Sequence, residues 1–265
     1  MLEILAEHGD EAKVLAGGQS LVPLLNFRFA RPSVLVDLGH VRSLVSIERR
    51  NGFVSVGAMT RQRQAEISDE LREACPLIPQ GLAWVGHLQI RNRGTIGGSI
   101  AHADPAAEMC AVALAAEADM VVHGPGGERV VAATDFFQGP FTTVVEPDEL
   151  LTEIRFPVME DARTAFLELA RRSGDFALSG VAALNRGAPG AAQVALAAIG
   201  VGGSAVRLRD AEAAVEGREL TDDVLRDAGE AASAAVDPPT DIHADAQYRK
   251  ELLGVLVRRA LRQVA

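Results

Sequence analysis

Cysteine and aromatic residues are scarce in this chain of 265 residues. It has two cysteines, Cys75 and Cys110, and aromatic residues make up 4% of the sequence. The cysteines stand far apart, without a CxxC or His-x-His pair, so the chain has too few ligands for a structural zinc or an iron–sulfur cluster. We therefore expect any associated metal centre to lie on another chain. We also expect any large flat ligand to be held mainly by backbone and aliphatic contacts.

Basic residues are in the minority, and long apolar runs are missing. Lys and Arg number 26 against 36 Asp and Glu, and the formal net charge of −10 repels nucleic acid. The most apolar stretches, 111–116 and 191–201, are far shorter than the roughly 20 residues of a membrane helix. Residues 1–10 also lack the basic flank and apolar run of a secretion signal. The sequence thus predicts a globular, cytoplasmic protein with no membrane span and no nucleic-acid partner.

The hydrophobic pattern of the first part predicts two kinds of unit. A short helix at 2–8 precedes buried strands at 13–16 and 34–38, which flank a helix that begins at Ser20 and is stopped by Pro32. This is a small βαβ unit with a parallel pair of strands. After it the pattern becomes antiparallel, with hairpins around Asn51-Gly52 and around residues 124–127.

Further helices and strands complete the predicted α+β architecture. Thr60, Asp69 and Asp104 are candidate helix caps for helices at 62–68, 71–82 and 106–116, and residues 86–99 look too irregular to belong to the core. A strand is expected at 150–156. The final part carries strands at 165–170, 176–184 and 194–201 and then helices at 210–216, 221–235 and 246–264, so we place a domain boundary near residue 160.

Two loops each carry a pair of adjacent glycines. The first, at 16–20, lies between a strand and a helix, where glycines let successive amides converge as an anion nest. The second, at 93–100, pairs glycines with hydroxyl side chains. One nest fits one phosphate, whereas two nests brought together can clamp a pyrophosphate. Each loop could equally be an ordinary tight turn, and neither matches a Walker loop or the GxGxxG fingerprint.

A third polar segment follows the second loop. Asp104 is foremost a candidate helix cap, and Glu108, one turn later, could accept a hydrogen bond from a sugar or ribityl hydroxyl. His102 could act as a general base, but no serine or cysteine nucleophile accompanies it, and the plainer interpretation is a polar wall residue.

Together these segments resemble a known family, the FAD-binding medium subunit of molybdenum hydroxylases. It includes aerobic carbon monoxide dehydrogenase, and the matching domain occurs in xanthine dehydrogenase. The matching segments follow one another through nearly the whole chain: LAGGQSLVPL at 15–24, VLVDL at 34–38, GAMT at 57–60, QIRNRGTIGGS at 89–99, DPAAE at 104–108 and RSGDFA at 172–177.

The resemblance implies a PCMH-type FAD-binding domain at 1–160, made of a small α/β piece (about 1–40) and an antiparallel α+β piece (41–160). A C-terminal α+β domain with an antiparallel sheet and helices follows at 161–265. FAD is expected between the first two pieces. The cofactor-binding residues it implies are Ala16, Gly17, Gly18, Gln19, Ser20, Leu21, Val85, Thr95, Ile96, Gly97, Gly98, Ser99, Asp104, Glu108, Leu151 and Phe176.

The resemblance also implies an oxidoreductase subunit that transfers electrons and has neither catalytic nor metal-binding residues of its own. A small subunit with [2Fe-2S] clusters would pass electrons to FAD, a large subunit would hold the molybdenum cofactor, and the complex would be a dimer of heterotrimers. The alternatives are a self-contained FAD-dependent oxidase of the wider fold group and a nucleotide-binding scaffold without redox chemistry.

This sequence departs from the family pattern at several positions. Ser99 stands where many relatives have Asn, residues 167–168 replace a lysine near the flavin, and Phe176 replaces a tyrosine found in some members. The chain also begins later than the family pattern, which implies an upstream start or a frayed first helix.

Overall fold

The computed structural model describes residues 1–265 and has the predicted α+β class. The first part of the chain forms α1 (Leu2–His8), β1 (Ala12–Leu15), α2 (Leu21–Asn26) and β2 (Val34–Asp37). β1 and β2 are parallel, with Ala12 opposite Val34 and Leu15 opposite Asp37, so the predicted βαβ unit is present. Its small core includes Leu5 of α1.

The helix after the first glycine loop is shorter than predicted. α2 ends at Asn26, well before Pro32, and Arg28 adopts a left-handed conformation with φ 60°. No residue of α2 is buried, so no packing against the core favours further helical turns. The prediction that the helix continues to Pro32 is therefore wrong.

The middle part combines a five-stranded sheet with short helices. Its elements are β3 (Ile47–Arg50), β4 (Phe53–Gly57), α3 (Gln62–Glu66), α4 (Asp69–Ala74), α5 (Leu77–Leu82), α6 (Leu88–Arg91), α7 (Ile96–His102), α8 (Glu108–Ala115), β5 (Asp119–Gly124), β6 (Gly127–Ala132), α9 (Ala133–Phe136), β7 (Phe137–Gly139), β8 (Thr142–Thr143) and β9 (Leu150–Pro157). The antiparallel strand order is β3-β4-β9-β5-β6. Asn51 and Gly52 have φ of 53° and 81°, so the first hairpin turns where predicted.

Two of the predicted helix caps make other contacts. The Thr60 hydroxyl donates to the Ser46 carbonyl oxygen at 3.0 Å, and α3 begins after Arg61 without a side-chain cap. Asp69 lies inside α4, whose cap is Ser68, the side chain of which accepts from the Leu71 amide. The helix predicted at 71–82 is also divided, because Pro76 disfavours helical backbone at the preceding residue.

The third predicted cap, Asp104, closes a tight turn. Its carboxylate accepts from the Ala106 amide at 2.8 Å, and α8 begins later, at Glu108.

Residues 86–99 are not an irregular surface segment as predicted. They contain α6 and the start of α7, which is capped by Thr95, whose side chain accepts from the Gly98 amide at 3.1 Å. Ile96 and Ile100 are fully buried in the main core of 38 residues. In the sequence, the glycines and polar flanking residues obscure the helical spacing of the few apolar residues in α7.

The last part forms a four-stranded antiparallel sheet and three helices. These are β10 (Arg163–Ala170), β11 (Ala177–Asn185), β12 (Val194–Ile199), β13 (Val206–Arg207), α10 (Arg209–Val215), α11 (Asp222–Ala234) and α12 (Ala246–Gln263), with strand order β10-β11-β12-β13. One face of the sheet shares a core of 22 residues with the three helices, and the other face packs against α5 and α8 in the main core. The boundary near residue 160 stays a prediction. No helix in the structure is both long and apolar enough to cross a membrane.

Candidate cofactor site

The two glycine loops lie against each other although 72 residues, 21–92, separate them in the chain. A Cβ atom added to Gly17 would lie 2.5 Å from the carbonyl oxygen of Arg93 and 2.8 Å from the Cα atom of Gly94. A Cβ atom added to Gly98 would lie 3.3 Å from the Cβ atom of Ala16. The contact between the loops therefore requires glycine at position 17, where the nearest neighbours are backbone atoms.

The first loop presents free amides. It connects the end of β1 to α2, and Gly18 has φ 75°, a conformation that favours glycine. None of the amides of residues 17–20 donates a backbone hydrogen bond. Consecutive unpaired amides in such a turn form a concavity that binds an anion. This loop has the geometry of a phosphate site.

The second loop contributes differently from the first. The amides of Ile96 and Gly97 donate to the carbonyl oxygens of Thr60 and Ala58, and those of Gly98 and Ser99 donate to Thr95. The amides of residues 96–99 are thus already used within the protein, whereas the hydroxyl of Ser99 makes no hydrogen bond there and is half-buried. The expectation of two equivalent amide nests does not fit this hydrogen bonding. The second loop supports the first and adds hydroxyl groups.

A cleft of about 560 Å³ opens beside the first loop. Its walls carry Arg61 and Arg93 on one side and Asp37 and His40 at the end of β2. A cleft of this volume is typical of cofactor sites.

Two arginines make part of this cleft electropositive. The Arg61 guanidinium donates to the carbonyl oxygen of Arg93, which connects α3 to the second loop. Burial lowers the pKa of Arg61, the neighbouring charge of Arg93 lowers it further, and Asp37 opposes the change. Arginine nevertheless stays protonated in proteins. Two like charges held this close are favourable only if an anion or a carboxylate lies near them.

The sequence analysis missed Arg61, Asp37 and His40, and it treated Arg93 only as the edge of the second loop. A sequence signal exists for two of them. Asp37 ends β2, and functional side chains often lie at the carboxyl edge of a parallel pair of strands. Arg61 follows the segment GAMT, which the resemblance includes. Nothing local marks His40.

Five other predicted residues lie away from this cleft. Val85 and Leu151 are buried in the main core, Phe176 is 73% exposed in the loop before β11, and Asp104 and Glu108 stand at the start of α8. None of them lines the 560 Å³ cleft, and neither do Ser20, Leu21 or residues 95–99; of the predicted residues, Ala16, Gly17, Gly18 and Gln19 line it. The structure brings Ala16 and Gly17 against the second loop, and the roles of the predicted residues outside the cleft stay predictions.

Two buried carboxyl groups mark a second polar region. Burial raises the pKa of Glu108 to about 7, and the charge of Asp104 adds to this. Burial also raises the pKa of Glu168 to about 8, with a contribution from Glu108. The sequence placed Glu108 in the site but missed its proximity to Glu168, which comes from another domain of the predicted division.

His102 has the environment of a wall residue. Its ring lies 5.1 Å from that of Phe141, centroid to centroid, and burial lowers its pKa. A neutral imidazole packed against an aromatic ring suits a structural role. No group of three or more His, Cys, Asp or Glu side chains is arranged to hold a metal ion.

These features fit a dinucleotide such as FAD. The free amides at 17–20 and the guanidinium groups of Arg61 and Arg93 supply donors for a diphosphate. The carboxylate of Asp37 can accept from a ribose hydroxyl, as acidic residues do in other dinucleotide sites.

Comparison with known proteins gives the same answer over the whole chain. Residues 1–159 match the family described as the FAD binding domain in molybdopterin dehydrogenase, and residues 164–264 match the CO dehydrogenase flavoprotein C-terminal domain. The chain is 38% identical over 265 residues to the 6-hydroxypseudooxynicotine dehydrogenase complex subunit alpha of Paenarthrobacter nicotinovorans, covering 98% of this chain and 89% of that one. It is 35% identical to the carbon monoxide dehydrogenase medium chain of Hydrogenophaga pseudoflava over 260 residues, covering 97% and 91% of the two chains.

Solved structures extend the likeness to three dimensions. A chain of the carbon monoxide dehydrogenase from Hydrogenophaga pseudoflava superimposes with a TM-score of 0.97 at 36% identity, covering 99% of this chain and 92% of that one. A chain of quinoline 2-oxidoreductase from Pseudomonas putida 86 gives a TM-score of 0.94 at 35% identity, covering 99% and 92%. The chain therefore belongs to the family of FAD-binding medium subunits of molybdenum hydroxylases, as its ordered glycine motifs predicted.

Proposed function

We propose that this chain is the FAD-binding electron-transfer subunit of a molybdenum-containing hydroxylase. It is an oxidoreductase subunit that receives electrons from iron–sulfur clusters on a partner and passes them to an external acceptor. The observation that carries the proposal is the contact between the two glycine loops, beside a cleft lined by Gly17, Gly18 and Gln19, whose amides are free, and by Arg61 and Arg93.

Different residues in and around the cleft are proposed to contact different parts of FAD. We assign the diphosphate to the amides of residues 17–20 and to Arg61 and Arg93. We assign Asp37, which lines the cleft, to a ribose hydroxyl, and the half-buried hydroxyl of Ser99 in the neighbouring second loop to a further contact with FAD. Thr95 is buried and its hydroxyl accepts from the Gly98 amide, so its FAD contact stays a prediction carried by the resemblance. When bound, FAD can take up single electrons and release a pair, which is why it links iron–sulfur clusters to two-electron acceptors.

The isoalloxazine end of the site is proposed from the remaining predicted residues. Leu151 and Phe176 keep their predicted place near the flavin, and Val85 keeps its predicted place near the cofactor. Glu108 keeps its predicted hydrogen bond to a sugar or ribityl hydroxyl, and all four roles are carried by the resemblance. Because Glu108 has a pKa of about 7, its carboxyl group can serve as hydrogen-bond donor or acceptor near neutral pH.

The first experiment is expression of the chain and analysis of its cofactor. We expect a yellow protein that releases FAD on denaturation, or an apoprotein that takes up FAD with a saturable titration. A colourless protein that cannot take up FAD would contradict the proposal.

A second experiment separates this function from a self-contained FAD oxidase. The FAD-loaded chain is tested for substrate turnover alone and then together with its partner subunits. The relatives, which are subunits of dehydrogenase complexes, favour the first function. Turnover by the isolated chain would favour the oxidase, whereas bound flavin that cannot be photoreduced would favour a scaffold.

The subunit composition and oligomeric state of the complex are also part of the proposal, because family membership alone shows only that partner subunits exist. Several relatives are named as medium chains or subunits of complexes. We infer a small subunit with [2Fe-2S] clusters, a large subunit with the molybdenum cofactor, a dimer of heterotrimers and a cytoplasmic location. Purification from the native host, with light scattering and metal analysis of the accompanying chains, tests the subunits and the oligomeric state, and cell fractionation tests the location.

A further inference from the structure

A second cavity of about 430 Å³, which shares no lining residue with the first cleft, lies at the outer edge of the C-terminal sheet. We call it the β10 groove. Trp84, Leu167 and Leu256 supply its apolar surface, and Glu168, Arg259 and Arg262 supply its polar surface. It therefore brings together the end of α5, the edge strand β10 and the end of α12.

The strand at this groove has an unpaired edge. β10 pairs with β11 on one side and has no strand on the other. Residues 164–170 make no backbone hydrogen bond outside the ladder with β11. In an antiparallel edge strand, alternate peptide groups point away from the sheet. Such an edge is a template for a further strand unless something covers it.

The rim of the groove is basic on a chain that is acidic overall. Arg259 is exposed and makes no hydrogen bond or salt bridge within the protein, whereas Arg262 reaches Asp222 at 2.5 Å with both side chains largely exposed. The chain as a whole has a net charge of −10. A local positive rim of this kind attracts an acidic partner and rejects a basic one.

Glu168 adds an unsatisfied buried group to the wall. It is 7% exposed, and its Oε2 atom has no hydrogen-bond partner. A buried polar atom without a partner costs free energy, so a ligand that supplies one is favoured. Burial raises the pKa of Glu168 to about 8, so this carboxyl group is largely protonated at neutral pH and does not repel an acidic ligand.

From these observations we propose that the β10 groove binds an extended, acidic segment of a partner polypeptide, which adds a strand to the free edge of β10. Its backbone would pair with the outward peptide groups of β10. Its apolar side chains would contact Trp84 and Leu167, and its carboxylates would face Arg259 and Arg262. Strand addition of this type takes its affinity from main-chain hydrogen bonds and its selectivity from alternate side chains.

The test uses two labelled octapeptides, matched in length to the eight residues of β10. One alternates glutamate with valine and the other alternates lysine with valine. Binding to the full FAD-loaded chain is followed by fluorescence anisotropy. We expect saturable binding of the acidic peptide, at least roughly tenfold tighter than that of the basic one. Amide hydrogen exchange within residues 163–170 should slow when the acidic peptide is saturating.

Substitutions of arginine test whether the acidic peptide binds at the β10 groove. Arg259→Glu should weaken the acidic peptide by roughly tenfold or more and improve the basic one. The matched control, Arg226→Glu on α11, changes an exposed arginine outside the groove and should leave both affinities unchanged. Arg259→Gln provides a milder second variant if the charge reversal impairs folding.

Three results would overturn the proposal: no saturable binding of the acidic peptide, equal binding of the two peptides, or binding without protection of β10. The third would mean that the arginines attract an anion and no strand is added. Flavin absorbance is recorded in the same samples. Release of FAD by the peptide would mean that the peptide occupies the flavin site, since the resemblance places residues 167–168 near the flavin, and would also overturn the proposal. A protein that binds no FAD at all counts against the proposed function, and its peptide affinity still tests the groove.

Discussion

Substitution of Gly17 by alanine tests the contact between the loops. The added Cβ atom would lie 2.5 Å from the Arg93 carbonyl oxygen, inside the 3.0 Å below which such contacts essentially do not occur. Both nearest neighbours are backbone atoms, so the strain can be relieved only if the loops move apart. Overpacking of this kind costs about 1–3 kcal/mol. If that cost falls on the FAD-bound geometry, the dissociation constant for FAD should rise by roughly tenfold to a hundredfold.

The assay is titration of the apoprotein with FAD, followed by the change in flavin fluorescence, with circular dichroism to verify the fold. Gly126→Ala is the matched control, because a Cβ atom at that turn position meets nothing within 4 Å. It should bind FAD like the wild type. If Gly17→Ala binds FAD within about twofold of the wild type, the close approach of the loops does not shape the cofactor site, and the reasoning is refuted.

Two further predictions concern charge. Arg61→Ala should weaken FAD binding by roughly tenfold or more, because it removes a charged donor, and should reduce the salt dependence of the titration; unchanged affinity would exclude Arg61 from the diphosphate site. For Glu108, the folded pKa is about 7 against 4.5 for the ordinary carboxyl, so the folded state keeps a proton that the unfolded chain loses. The free energy of unfolding of the apoprotein should therefore fall as pH rises from about 4.5 to 7. Glu108→Gln should remove up to about 3 kcal/mol of that fall; urea unfolding at both ends of the range measures it, and an identical slope in the variant would contradict the assignment.

The two glycine loops make different contributions to the cofactor site. The sequence suggested two similar nests, since both loops carry paired glycines. In the structure Gly97 packs against Ala58, where a Cβ atom would lie 2.4 Å from the alanine side chain, and the amide of Gly97 is already used. The glycines of the second loop are therefore needed for close packing. In the first loop Gly17 is needed for the contact with Arg93, and Gly18 allows the positive φ of the turn that presents the free amides.

Local signals predicted much of the fold. The Asn51-Gly52 pair supports the conformation of the first hairpin by itself, since both residues tolerate positive φ. Thr221 begins α11 as expected, and its side chain accepts from the Val224 amide. In α12 the helical spacing of apolar residues continues over the whole segment, so it predicts a helix clearly. In each case the interacting residues are neighbours in the chain.

Predictions failed where another contact, distant or local, competes for the group that was expected to cap or form a helix. Thr60 has the chemistry of a helix cap, but Ser46 takes its hydroxyl. Asp104 has the same chemistry, and a tight turn takes its carboxylate. Residues 86–99 look irregular, but burial of Ile96 against the main core stabilises α7.

The sequence by itself determined the ordered motifs, the strand and helix types, and through them the family and its cofactor. The motifs and element types depend on residue type and short sequence spacing, which can be determined without knowledge of the fold. Only the tertiary structure decided that Gly17 meets Arg93, that Arg61 joins them, and that Glu108 lies near Glu168. Such contacts join segments far apart in the chain, and they are selected by the packing of the whole core because no local pattern encodes their distance.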